Sequence, residues 1–392
     1  MKLMTARRKA WHLHRARSES AKRKDPTRKR SNRGGWIYGS NGRQSVLLPS
    51  PIMATPAQFC IRENADAVVS FLNSLRRRLL RISPSALRAL RRRVNPYGQS
   101  TGAPRWINRF IDFRPMTEVT PAAALVLAAE YDRARRLVTE DADRLGTLFL
   151  VALEQWRPEV VGVLRDNGFF HLLGIEAEPE FDSNADRIIL PFISDTTDVQ
   201  QEKVGLQLQK LIRIAQERGV ETSDSMFDFA GPIGEAMENV VHAAYTDKVQ
   251  FQYPHVGRWW MSSSIDFAKR QMQAAVYDQG ATIAGTLKDW RFFPTFSSHF
   301  WRVFGVEFDE RNPSYDSQVI AHAIEHSASM TGLSHRGKGL GMMKRFVDES
   351  GDGRLTILSR RGFYEFRPNE DPRIRQLPES VGGTLVEWII RF

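Results

Sequence analysis

Gly231-Pro232-Ile233-Gly234-Glu235-Ala236-Met237-Glu238-Asn239-Val240-Val241-His242 decides how the second half of this chain is read. Gly231-Pro232 predicts the opening of a helix, because a proline in the first turn loses no hydrogen bond. Glu235 and Asn239 are four apart and share one face of that helix. Alone, such a pair is an ordinary solvated one, so its meaning depends on three segments nearer the C-terminus. Arg258–Asp266 and Lys269–Tyr277 read as strands, and the second ends in Asp278-Gln279-Gly280. A carboxylate there can accept from an amino group, and a glycine lets backbone approach a flat ligand. A plain hairpin turn has the same composition. Next, Arg336-Gly337-Lys338-Gly339-Leu340-Gly341 runs into an apolar-periodic helix over Met342–Val347. Glycines at a helix N-terminus expose successive N–H groups where the dipole favours phosphate. The spacing is not that of a Walker loop, which needs Gly-Lys followed by Ser or Thr. Last, Val381-Gly382-Gly383-Thr384 feeds an apolar strand, with a hydroxyl at its start.

The chain has 392 residues, enough for two or three domains, and its 42% hydrophobic and 26% charged content is that of a folded protein. One cysteine, Cys60, excludes an intrachain disulfide and fits a reducing compartment, so a cytoplasmic location is expected. No apolar run approaches membrane-spanning length, so no membrane partner is expected. The net charge of +11 is uneven: residues 1–44 hold 14 Lys or Arg against Glu19 and Asp25, and the rest of the chain carries −1. Residues 1–55 read as a basic flexible arm. Trp36 and Tyr38 among its cations suit stacking on bases, so nucleic acid bound through residues 1–44 is one partner class; a solvated tail is the other reading.

Val68, Val69, Phe71, Leu72, Leu75, Leu79 and Leu80 predict a helix, and Ser83-Pro84 opens a second. An Arg cluster from Arg76 to Arg93 accompanies them. Trp106–Phe113 is a strand candidate, Thr120-Pro121 starts an Ala/Leu-rich helix to about Arg136, and Pro158–Leu173 is helical. A strand ending Asp112-Phe113, a loop, and a helix opening on Thr120, Pro121 and Ala122 resemble a STAS domain over residues 60–175. By that resemblance the phosphoacceptor place is filled by Pro121 and Ala122, which implies a docking module; Thr120 is explained as a cap. Residues 176–200 read as acidic linker, and a helix follows to Arg218, ended by Gly219.

Taken in order, the four C-terminal segments resemble the GHKL superfamily of gyrase B, heat-shock ATPase chaperones, histidine kinases and mismatch-repair ATPases, over residues 225–392. The resemblance implies an α/β fold of Bergerat type, a mixed sheet backed by helices, that binds ATP and Mg²⁺. It implies Asn239 as the Mg²⁺ ligand, Glu235 as the base activating water or a hydroxyl, and Asp278 as acceptor from the adenine amino group. Gly280 would give the base room. Gly337, Gly339, Leu340 and Gly341 would cradle phosphates, with Lys338 a charge partner and Thr384 at the adenine end. One departure is Thr282, where the family's Asp-x-Gly-x-Gly has its second glycine.

The organisation expected is therefore an arm (1–55), a STAS-like α/β domain (56–180), a linker and connecting helix (181–224) and a GHKL-type ATP-binding domain (225–392). The function expected is an ATPase or a protein Ser/Thr kinase-like regulator acting on a protein partner, with a STAS-type protein and a second copy of the chain among the options. A nucleic-acid regulator using ATP as a switch, or a silent ATP-dependent scaffold, are the alternatives. Trp290, Phe292, Phe293, Phe296, Phe300, Trp301 and Phe304 lie between Asp278 and Gly337, as extra core or as a docking lid. His322-Ala323-Ile324-Glu325-His326 has the spacing of an inverted zinc-peptidase motif, but no third ligand is specified. His242 is read as a helix-face or core residue.

Overall fold

The computed structural model of the chain describes residues 36–38, 44–47, 53–80, 111–138, 153–173, 185–196, 201–221, 228–246, 249, 251, 253–290, 293–329 and 339–392. The Ser83-Pro84 helix, the start of the Trp106 strand, and Gly337 and Lys338 lie outside these residues. Contacts divide the chain into one unit of residues 1–53 with 99–110, and a second of 54–98 with 111–392. In the first, β1 (Trp36–Tyr38) pairs antiparallel with β2 (Gln44–Leu47).

Four short strands follow, β3 (Met53–Ala54), β4 (Gln58–Phe59), β5 (Ile111–Asp112) and β6 (Glu118–Val119), of which β4 and β6, in the second unit, pair in parallel. Helix α1 (Ala65–Leu80) buries Val68, Val69, Leu72, Leu75 and Leu79, the apolar positions that predicted it. Helix α2 (Pro121–Val138) buries every residue from Ala122 to Ala129. Small side chains there let its backbone come close to neighbours on all sides. Then come α3 (Pro158–Asp166) and α4 (Phe169–Leu172), whose Phe169 and Phe170 pack with Phe113 and Trp156.

A seven-stranded sheet has the order β12-β11-β10-β13-β9-β8-β7. Its strands are β7 (Arg187–Thr196), β8 (Arg258–Asp266), β9 (Gln271–Asp278), β10 (Gly353–Ser359), β11 (Gly362–Phe366), β12 (Arg373–Gln376) and β13 (Thr384–Arg391). Every pairing in it is antiparallel, which corrects the mixed sheet expected. The reason is where β13 goes. Strands β9 and β10 are joined by a helical crossover and run the same way, but β13 lies between them, antiparallel to each.

Side-chain alternation gives the sheet two faces. Trp259, Met261, Met272, Val276, Ile357 and Trp388 belong to one continuous core with α5 (Gln201–Glu217), α6 (Ala230–Asn239), α7 (Ile283–Thr286), α8 (Phe293–Phe304), α9 (Asp316–Ser329) and α10 (Gly339–Glu349). Phe229, just before α6, stacks on Phe346 of α10 at 5.2 Å and meets Trp388 edge-on, which fixes both helices to the sheet. The opposite face is covered by α2. Trp260 Nε1 donates to Asp132 (3.0 Å), Tyr277 Oη to Glu130 (3.2 Å) and Asn167 to Ser262 Oγ (3.0 Å).

The stretches expected as a separate domain and a linker are thus parts of this same unit: α2 lies over the sheet with α1 packed on it, and β7 is its edge strand. Trp260 and Tyr277 are large, apolar and fully buried, and their polar atoms need α2's carboxylates. Between Asp278 and α10, Phe296 and Phe300 are core and stack at 5.8 Å, whereas Trp301 is 59% exposed.

Candidate functional site

The site forms at one end of the sheet, on the α6–α10 face, where Asp278 ends β9 and Thr384 begins β13. The register pairs these two residues directly. Asp278 is buried, and its carboxylate accepts from the Gly280 N–H at 2.8 Å and from the backbone of Thr384. Two of the four lone-pair sites of a carboxylate remain for a further donor. Burial outweighs these two bonds and pushes the group up to about 7.

The turn after Asp278 is held tightly. Gln279 N–H donates to Tyr245 Oη at 3.0 Å, and Tyr245 Oη donates in turn to the Arg258 carbonyl. Gly280 has no room for a side chain, because a Cβ would collide with the carbonyl of Ala244. Gly383 lies equally close to the Asp278 carbonyl. Thr282, the departure from the family pattern, has extended backbone and caps α7 by accepting from Gly285 N–H at 3.3 Å. A second glycine is therefore not needed for backbone conformation here. Thr384 Oγ1 is 3.0 Å from Ser359 Oγ, which also accepts from Ile283 N–H.

Glu235 and Asn239 come from α6, which opens with Pro232 in its first turns and continues beyond Asn239 as a π-helical turn over Val240–Ala244. Such a turn shifts the later side chains relative to a regular helix. It delivers the Ala244 carbonyl to the Gly280 turn, where Ala281 N–H donates to it. Helix α10 starts against α6: a Cβ on Gly339 would stand 2.8 Å from Glu235 Oε2 and 3.2 Å from Asn239 Nδ2. Gly339, Leu340 and Gly341 fill its first turn and are all buried.

A narrow cleft of about 70 Å³ runs between these pieces, walled by Asn239, Asp278, Leu340 and Thr384 with Val276, Trp290 and Met343. The structure brings Asn239, Asp278, Leu340 and Thr384 onto one cleft, and sets Glu235 beside Asn239 at the start of α10. Gly280 shapes the wall from behind. Ser359, Tyr245 and Trp290 also belong to the site, without a sequence signal that marks them. A lone Ser at a strand end and a Tyr after an unrecognised π turn carry no motif, and Trp290 looked like one more aromatic of a long insertion.

Chemically the cleft offers a buried acceptor at one end, an apolar middle, and a helix N-terminus with a carboxylate and an amide at the other. Among the described residues no three or more His, Cys, Asp or Glu are grouped to hold a metal ion. His322 packs on Phe296 and His299, and burial, aided by the neighbouring histidines, pushes it down to about 4. No helix of the described residues is long and apolar enough to cross a membrane. No protein-family model matches this sequence, and no curated protein does.

Proposed function

We propose that this cleft binds Mg·ATP and that the chain acts as a GHKL-class ATPase or protein Ser/Thr kinase-like regulator of a protein partner. The observation that carries the reading is convergence: Asn239, Asp278, Leu340 and Thr384, from segments up to 145 residues apart, wall one cleft. The packing of α6, α9 and α10 on one face of the sheet supports a Bergerat-type reading, from which the all-antiparallel pairing departs, and α1 and α2 are the remainder of the STAS-like one.

In this reading the buried Asp278 accepts from the exocyclic amino group of adenine. The apolar walls Val276, Met343 and Leu340 take the ring. The first-turn N–H groups of α10 meet phosphate oxygens, where the helix dipole adds to their attraction. The Asn239 amide oxygen would hold Mg²⁺, a hard cation that prefers oxygen donors. The ion would supply charge that offsets that of the phosphates. Glu235, beside Asn239, is placed to take a proton from water or an incoming hydroxyl. Lys338 and Gly337, just before α10, complete the proposed phosphate loop.

ATP binding and phosphate release by the wild type, Glu235→Ala and Asn239→Ala, with and without Mg²⁺, test this. Glu235→Ala should keep binding and lose about 10²–10⁴-fold in turnover. Asn239→Ala should lose the Mg²⁺-dependent part of binding. If neither substitution changes binding or turnover, the cleft is not a nucleotide site.

A further inference from the structure

The same end of the sheet carries a second and larger cavity, of about 500 Å³, lined in part by Asn73 and Arg77 of α1 and Arg133 of α2. Its wall includes Arg77, Arg133, Arg360 and Arg361, one acid (Glu379), and the buried Gln279. The segment Gln279–Thr282 forms part of this wall, while Asp278 and Ala281 border the first cleft.

The cavity is short of negative charge. Behind it lies a buried triad in which Glu130 pairs with both Arg76 (2.7 Å) and Arg133, so two cations share one carboxylate. Arg360 is paired with Asp316. Arg361 donates its Nε–H to the Leu377 carbonyl (2.9 Å) and Arg77 donates to Ser74 Oγ (3.2 Å), partners without charge. Five guanidinium groups therefore face three carboxylates, Glu130, Asp316 and Glu379. The ring of Tyr253, 5.6 Å from the Arg76 guanidinium and 6.0 Å from that of Arg133, meets part of this excess. A second sign is independent of charge. Arg133 and Gln279 are 2% and 3% exposed, yet Arg133 Nε and Gln279 Oε1 have no hydrogen-bond partner. Buried polar atoms left unpaired are rare in stable folds and mark places where a partner is missing. Guanidinium forks match the planar geometry of phosphate and carboxylate oxygens.

We propose that this cavity is a second binding site, distinct from the cleft, for a compact ligand bearing phosphate or carboxylate groups. Arg361 and Arg77 supply the open guanidinium donors and Arg133 the buried charge, and the Gly382–Gly383 turn forms part of the wall. Gly382 has φ +91°, and a Cβ there would collide with the Arg76 guanidinium, so the turn is specified by the same triad.

The test is calorimetric titration of the full chain with pyrophosphate and, separately, with citrate, in the absence of Mg²⁺ and nucleotide. At least one of the two should bind, and which one does distinguishes phosphate from carboxylate ligands. Arg361→Gln and Arg77→Gln should each weaken that binding about tenfold, the loss expected for a charged hydrogen bond, with unchanged thermal melting. Arg77 is exposed, so its variant still reports if Arg361→Gln fails to fold. The proposal is overturned if neither anion binds at millimolar concentration, or if the folded Arg variants bind as the wild type does. It is equally overturned if Asn239→Ala abolishes the binding, because the anion would then sit in the cleft between α6 and α10.

Discussion

Asp278 sets the pH behaviour of the cleft. Its carboxyl titrates near 7 because burial raises it above its ordinary value near 3.8. A raised acid makes the folded state hold a proton that the unfolded chain gives up. The stability it contributes is fully present below about pH 4 and is lost as pH rises through about 7. The ligand-free protein should therefore melt lower at pH 8 than at pH 6, and Asp278→Asn should reduce that difference. Binding runs the other way, because an amino-group donor prefers the ionised carboxylate. Adenosine, which has no phosphate to titrate, should bind about tenfold more tightly at pH 8 than at pH 6. An affinity flat over this range would remove Asp278 from adenine recognition. The sequence made Asp278 legible because an acid at a strand end followed by Gly is a short-range pattern. It could not disclose the raised titration, which comes from burial against elements far away in the chain, Leu340 and Met343 of α10 among them.

At the scale of elements, the contact between α6 and α10 separates packing from chemistry. The atoms nearest a Cβ on Gly339 are the tips of Glu235 and Asn239, side chains able to swing away. Gly339→Ala should therefore change stability by less than about 1 kcal/mol, since alanine is also the better helix former. It should nevertheless lower Mg²⁺-dependent ATP turnover by tenfold or more, by displacing both groups. Gly383→Ala is the contrast: its Cβ would strike the Asp278 carbonyl, which cannot move without the strand, and a loss of about 3 kcal/mol or more is expected in a denaturant melt. If Gly339→Ala destabilises as much as Gly383→Ala, the first turn of α10 is only a packing site. Strands β8, β9 and β13 and helices α2, α5, α6 and α10 were readable from periodicity and caps. The π turn at Val240–Ala244 was not, because the apolar spacing that reveals an α-helix has no counterpart for a single wide turn. The insertion after Asp278 left core and lid undecided; Phe296 and Phe300 went to the core, since α8 and α9 can bury their apolar faces only against each other and the sheet.

At the scale of the molecule, three layers are tied by ion pairs and hydrogen bonds that no local pattern announces. Arg76 of α1 reaches Glu130 of α2 and the Val381 carbonyl (2.8 Å), while Tyr277 of β9 reaches the same two acceptors. Replacing Glu130 by Gln leaves two buried guanidinium groups without their shared anion. It should cost about 3–5 kcal/mol in denaturant unfolding. If α1, α2 and the sheet are one cooperative body, far- and near-UV signals of the variant should shift together; a change confined to one transition would mean that the layers unfold separately. The Arg cluster from Arg76 to Arg93 reads in sequence as a solvated helix face or a nucleic-acid surface. Only the fold shows that Arg76 is buried and Arg77 is not, because helix periodicity places neighbours 100° apart and says nothing of what covers each.

The place of β13 has a consequence for synthesis. The strands on its two sides, β7–β9 and β10–β12, are made before it and can pair only among themselves. Until β13 emerges, the inner edges of β9 and β10 have no partner, and Asp278 lacks both the Thr384 backbone and the closing wall. At about 5–20 residues per second, the interval between Asp278 and Thr384 lasts roughly 5–20 s. A nascent chain halted after β10 and before β13 would expose two strand edges and hold no completed cleft. The cleft between α6 and α10 is thus complete only once β13 is made, and a ligand that binds it can act only on a finished sheet.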